Sequence, residues 1–153
     1  MEPPHGQYLI SDDPARLDVA AIHDYLRRSY WCENIPRDVV QRAVDGSLCV
    51  GAYLAAGSAS QQVGLTRIIS DFATFAYLCD VYVLEEHRHH GLARAMMACV
   101  VAHPRLQGLR RWNLVTRDAH PLYAQFGFTA IGHPDRYMER LFRDVYRTVE
   151  VGK

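Results

Sequence analysis

Apolar and polar positions recur along this chain with periods that predict short elements in a mixed order. Tyr8 to Ile10 can start a sheet edge. Leu17, Ala20, Ala21, Ile22, Tyr25 and Leu26 form an apolar stripe at helical spacing, and Asp13-Pro14 ahead of it supplies an N-cap followed by proline, so a helix is predicted from Pro14 to about Ser29. A second stripe, Val39, Val40, Ala43 and Val44, begins after Pro36 and stops at Gly46. Leu48 to Ala55 and Val63 to Ser70 read as strands joined by a turn rich in small residues, Ala56 to Ser60. Phe72 to Leu84 sets large residues on both faces with Asp80 as its one charge, the pattern of a central strand covered on both sides.

Beyond that strand, Leu92, Met96 and Ala98 to Val101, with the small Ala93 and Ala95, make a helix able to lie close on a sheet. Pro104 and Gly108 end it, and Trp112 to Thr116 is another short strand. Ala119, Leu122, Tyr123 and Phe126 share a face of a last helix, with Asp118 as its expected cap and Gly127 as its end; Phe128 to Ile131 and Arg136 to Phe142 then read as two closing strands. Strand, helix, strand in the middle of the chain implies a right-handed crossover between parallel neighbours. The predicted fold is therefore α/β (α+β), a mixed central sheet of about six to seven strands with helices on both faces. The expected division is a disordered terminus over 1–6, a single domain over 7–143 and a tail over 144–153.

Composition narrows the functional classes. A chain of 153 residues, 49% hydrophobic, suits one domain with one sizeable core. Lys plus Arg equals Asp plus Glu at 17 each, giving no overall bias toward nucleic acid or anionic membrane as partner. Four cysteines lie far apart, mostly in apolar runs and without a Cys-x-x-Cys pair, the usage of reduced thiols. With no signal-like N-terminus and no apolar run long enough to span a bilayer, the expected location is the cytoplasm.

Between the central strand and the helix that follows it, Arg88-His89-His90-Gly91-Leu92-Ala93 places successive backbone N–H groups at a helix N-terminus, with Gly91 and Ala93 leaving room for a ligand near the main chain. That is the geometry of an anion site suited to a pyrophosphate. The loop lacks the Gly-Lys-Ser/Thr of a Walker motif and the three glycines of a dinucleotide fingerprint. Arg94, Arg105, Arg110 and Arg111, in or after the loop, are available in sequence as further phosphate partners.

Arg88 to Ala93 fits Arg/Gln-x-x-Gly-x-Gly/Ala, and with Val81-Tyr82-Val83 before it and Leu122-Tyr123-Ala124-Gln125-Phe126-Gly127-Phe128 after it, the chain resembles the GNAT superfamily of N-acetyltransferases over roughly Gln7 to Arg143. His89 and Ala93 stand where that family often has glycine, which makes the loop bulkier but keeps its backbone donors. The resemblance implies acetyl-coenzyme A as cosubstrate, held by Arg88, His89, His90, Gly91, Leu92, Ala93 and Arg94. Its pantetheine arm would pair with Val81, Tyr82 and Val83 where two central parallel strands splay apart. Main-chain N–H groups near Tyr82 and Val83 would polarise the thioester oxygen, and Tyr123 falls where the family commonly has its general acid; an inward-facing packing ring is the alternative.

Acetyl transfer to an amine needs a neutral nucleophile, donors for the thioester oxygen and a proton for the leaving thiolate. Asp80, a lone carboxylate in apolar sequence, is a candidate base, with an ion-paired structural group, for instance with Arg67, as the alternative of equal weight. Glu33 is a second candidate base. Tyr30, Trp31 and Glu33 would overhang the acceptor and suit a cationic amine. No metal is expected, because His87, His89 and His90 lack a second ligand pair at standard spacing. The expected activity is acetyl transfer to a primary amine of a small molecule, amino acid or peptide. A non-catalytic acyl-coenzyme A binding module is the competing class, and a homodimer is compatible with the reading.

Overall fold

The computed structural model describes residues 7–56 and 59–147. The expectations for residues 1–6, for 57–58 in the first hairpin turn and for the tail from 148 onward lie outside the described residues. Five strands form one sheet in the order β1-β2-β3-β4-β5: β1 (Tyr8–Ser11), β2 (Leu48–Ala56), β3 (Ala59–Ser70), β4 (Phe75–Val83) and β5 (Arg111–Leu114). The first four pair antiparallel and β4 with β5 parallel, through the predicted crossover. Helices α1 (Val19–Leu26), α2 (Arg37–Asp45), α3 (Leu92–Val101) and α4 (His120–Ala124) complete the chain.

Each apolar stripe is buried where its spacing points. Ile22, Tyr25, Leu26, Val40 and Val44 from α1 and α2 pack with Cys49, Leu65 and Tyr82 on one face of the sheet. Leu92, Met96, Met97 and Val100 from α3 pack with Val50, Val63 and Leu78 on the other. Gly64 lets α3 come close: a Cβ there would meet the Met96 methyl at 3.2 Å, the Ala52 Cβ at 3.2 Å and the Tyr82 carbonyl at 3.0 Å.

Several expectations need correction. The first helix begins later than Pro14: Asp13 caps a 3-10 turn over Pro14–Arg16, and Asp18 then caps α1 through its bond from the Ala21 N–H. Helix α4 has Ala119, not Asp118, at its cap position, and Thr116 Oγ1 accepts the Ala119 N–H at 3.1 Å. The sheet has five strands, because neither Phe128 to Ile131 nor Arg136 to Phe142 forms one. A strand pattern becomes a strand only when its main chain pairs with a neighbour's edge; Phe128 packs on Trp112 and Tyr137 bonds Arg111 through side chains, but neither segment pairs its main chain with β5.

One irregularity shapes β4. The register with β3 shifts between Leu65 and Arg67, and Asp80 sits in the left-handed region at φ 53°. This bulge reverses which residues face which side. Ahead of it Ala76 and Leu78 point to the α3 core; behind it Tyr82 points to α1 and α2, stacked on Tyr25 with ring centroids 3.9 Å apart.

Candidate active site

Pairing between β4 and β5 covers only Phe75 to Leu78 against Arg111 to Leu114. Beyond Leu78, β4 continues to Val83 with β3 on one side and, among the described residues, no strand on the other. The predicted splay is present, and a cavity of about 1190 Å³ fills it. The Leu84 N–H bonds the Val63 carbonyl on the β3 side, so by strand alternation Val81 and Val83, rather than Tyr82, turn their main-chain groups into the gap. The Val83 carbonyl accepts Arg88 Nε at 3.0 Å, and the same alternation sets the N–H groups of Val81 and Val83 on this open side.

At one end of this cavity lies the basic loop. Gly91 precedes α3 at φ 76° and His89 takes φ 67°, so the chain curls tightly into the helix. The first helical bond inside α3 is Ala95 N–H to the Gly91 carbonyl, which leaves the N–H groups of Leu92, Ala93 and Arg94 ahead of the ladder. His89, Gly91, Leu92, Ala93 and Arg94 all line the cavity. Polar donors and a glycine at a helix N-terminus, continuous with a strand edge, fit the pyrophosphate and pantetheine of acetyl-coenzyme A.

Side chains in the loop divide into anchors and free groups. Arg88 is spent inside the protein, on the Val83 carbonyl and on the Tyr25 hydroxyl at 3.2 Å. His87 shares a hydrogen bond with the Tyr8 hydroxyl at 2.9 Å, and His90 packs on the Tyr8 ring, so β1 pins the loop. His90 is not among the residues lining the cavity, whereas His89 and Arg94 are. Arg105, Arg110 and Arg111 lie elsewhere. Helix α3 carries the chain back past the sheet, Arg105 stacks on Phe72, and the Arg110 N–H bonds Thr74 ahead of β4. The nine residues of β4, about 30 Å of extended chain, separate that end from the loop.

The middle of the cavity carries the reactive candidates. Tyr123 is 7% exposed and forms the opposite wall; burial, then the neighbouring Tyr30, pushes its hydroxyl up to about 12. No hydrogen bond engages this hydroxyl among the described residues, and Phe128 meets its ring edge-on at 6.1 Å. Asp80 is also buried and lines the cavity, but both of its oxygens are taken: Oδ2 accepts Arg67 Nε at 2.7 Å, and Oδ1 accepts Trp31 Nε1 at 2.7 Å. Arg67 extends the network to Ser47 Oγ at 2.9 Å.

Tyr30 and Trp31, the residues expected to overhang an acceptor, also line this cavity, ring against ring at 5.0 Å. Glu33 is exposed and outside the lining. Two features that sequence reading missed complete this wall. The Arg117 guanidinium lies 3.8 Å from the Tyr30 ring centroid, and Arg28 pairs with Glu85 at 3.4 Å. An isolated Arg in a loop carries no sequence signal of its eventual aromatic partner.

Among the described residues no group of three His, Cys, Asp or Glu is arranged to hold a metal, and no helix is long and apolar enough to cross a membrane.

Comparison with known proteins matches this geometry. The family model for the GNAT acetyltransferase domain matches residues 47–130. A protein of Gibberella zeae provisionally named an acetyltransferase is 37% identical over 139 residues, covering 78% of this chain and 77% of that protein. The crystal structure of a provisionally assigned GNAT acetyltransferase from Xanthomonas campestris pv. campestris is similar with TM-score 0.86 and 48% identity, over 94% of this chain and 98% of that one. The crystal structure of a Clostridium acetobutylicum acetyltransferase with acetyl-CoA shares the fold with TM-score 0.61 at 18% identity, over 88% of this chain and 94% of that one.

Proposed function

Since this chain belongs to the GNAT family of acetyltransferases, we propose that it transfers the acetyl group of acetyl-coenzyme A to a primary amine of a small molecule, amino acid or peptide, by direct attack within a ternary complex. The observation that carries this reading is a single cavity in which the bare edge of β4, the N-terminus of α3 and the Tyr123 hydroxyl meet. The N–H groups of Leu92, Ala93 and Arg94 hold the pyrophosphate, with His89 and Arg94 beside it. The N–H groups of Val81 and Val83 bind along the pantetheine and polarise the thioester oxygen.

The amine nitrogen forms its bond to the acetyl carbon, the carbon–sulfur bond breaks, and the nitrogen gives its proton to solvent. Tyr123 donates its proton to the departing thiolate. A hydroxyl held up to about 12 stays protonated throughout the neutral range, which suits a donor. Of the two roles open to Asp80, its partners favour positioning: it fixes Trp31 against the acceptor mouth and Arg67 beneath it. Tyr30 and Trp31 offer aromatic faces to a cationic amine before it loses its proton.

Coenzyme A release across a panel of amines tests the reading, with Tyr123→Phe beside the wild type. The variant is expected to bind acetyl-coenzyme A with near-normal affinity and to turn over about a hundredfold more slowly, the scale of a lost general acid. Equal turnover would remove Tyr123 from the chemistry. Cofactor binding without release from any amine would make the protein a binding module.

A further inference from the structure

Among the described residues four arginines line the cavity, and three of them are accounted for. Arg88 bonds the Val83 carbonyl and the Tyr25 hydroxyl, Arg94 stands in the first turn of α3 beside the candidate phosphate site, and Arg28 pairs with Glu85. Asp80, in the same lining, is neutralised by Arg67. Arg117 is the arginine left over. Among the described residues no hydrogen bond or ion pair engages its guanidinium, and Asp118, which follows it in the lining, makes none with it.

Its place is fixed all the same. The guanidinium carbon lies 3.8 Å from the Tyr30 ring centroid, too close for an N–H bond to point between the two, so the cation lies flat on the ring. A stacked guanidinium keeps its N–H donors around its rim, where a planar anion can take them in pairs. The contact also joins two walls of the cavity: Tyr30 belongs to the connection between α1 and α2, and Arg117 to the connection between β5 and α4, the helix that carries Tyr123. Tyr30 is in turn close enough to Tyr123 to help hold its hydroxyl protonated. One face of Tyr30 is thus covered by a positive charge. An acceptor whose only charge is positive is repelled there, and one that also carries a negative group is drawn in.

We propose that Arg117 is an anion clamp for the acceptor, and that the acceptor is a small amine bearing a carboxylate, a free amino acid above all, rather than a polyamine or other purely cationic amine. This rests on the proposed acetyl transfer and narrows its range of acceptors. The carboxylate accepts parallel N–H bonds from the Arg117 rim, and the amine is left to turn toward the thioester. In an amino acid both groups sit on one short carbon frame, so holding the carboxylate also orients the nitrogen for attack.

The test sets the common L-amino acids and β-alanine beside their carboxamides and decarboxylated amines, with coenzyme A release as the readout. At least one acid should exceed its amide about tenfold or more in kcat/KM, the scale of a hydrogen bond to a charged group. Arg117→Gln, at an exposed position, should bring the acid down to the level of its amide, chiefly through KM, and should keep the thermal shift with acetyl-coenzyme A. Arg117→Lys, which has the charge without the fork, should restore part of the preference. Calorimetric titration of the same compounds into protein saturated with coenzyme A reads the clamp without turnover: the acid should bind, and its amide should bind at least about tenfold more weakly. An acid that binds and is never acetylated would uphold the clamp and sink the reaction. Amides or purely cationic amines that match the acids overturn the clamp, as does an acid preference that survives Arg117→Gln, or a titration in which no acid binds. Loss of the acetyl-coenzyme A shift in Arg117→Gln also overturns it, by assigning the arginine to the cosubstrate.

Discussion

At Gly91 one backbone angle and one anion site coincide. A φ of 76° costs an ordinary L residue roughly 1–2 kcal/mol, least for Asn and Asp, whose side chains bond locally. Gly91→Asp therefore keeps the turn accessible but sets a negative charge beside the phosphates, and it should largely abolish the rise in melting temperature produced by acetyl-coenzyme A. Gly91→Asn, of the same shape without the charge, should retain a measurable part of that rise. Equal shifts in the two variants would show that charge at this position does not matter and that the phosphates lie elsewhere.

Asp80 makes a second comparison at the same scale. Its charge in an apolar strand was conspicuous in sequence, and pairing with Arg67 was one of two readings. The left-handed backbone and the Trp31 bond were not legible, because both arise from a register shift that involves a different strand. Arg67→Met strands a buried carboxylate, an uncompensated charge that costs about 3–5 kcal/mol, measurable by urea unfolding. Replacing both partners, Arg67→Met with Asp80→Asn, should recover part of that loss. A single variant as stable as the wild type would mean that the pair is solvated in solution.

Among elements, those with a strong internal period were readable and those defined by a neighbour were not. The stripes of α1, α2 and α3 and the apolar β4 announced themselves because each carries its own face. Residues 136–142 alternate just as well and yet form no strand, since pairing is a property of two segments and the sequence of one does not name the other. The distal arginines failed for a related reason: proximity in sequence to a loop is undone by a helix that runs back the length of the sheet. At the contact of α3 with the sheet, Gly64→Val should drive the Tyr82 carbonyl, Ala52 and Met96 outward and cost about 1–3 kcal/mol, read as a lower urea midpoint. An unchanged midpoint would indicate slack between helix and sheet.

Over the whole molecule, buried thiols and phenols set the alkaline limit, Cys32, Cys49, Cys79 and Tyr123 among them. Burial pushes Cys32 and Cys79 up to about 12 and Cys49 to about 11, from an ordinary 9.0. Tyr123 moves the same way, from 10.0 to about 12. In each case the folded chain holds its proton longer than the unfolded chain. Their contribution to stability is complete below pH 9 and declines as pH rises toward 12. The melting temperature under reducing conditions should accordingly fall above pH 9, and Cys32→Ala with Cys79→Ala should flatten the first part of that decline. A melting temperature level to pH 11 would contradict the burial of these thiols in solution.

The early end of β4–β5 pairing has a consequence for how binding will look to a calorimeter. Without its cosubstrate the sheet lacks a neighbour for Val81 and Val83, and under the proposed function the pantetheine takes the place of that neighbour, one amide beside another. Binding is then the last step of folding as well as the first step of the reaction. Opening of this part of β4 should be a low-energy fluctuation that vanishes on saturation, so the Val81 and Val83 amides should gain far more protection from exchange than amides in α2, although no side chain need move.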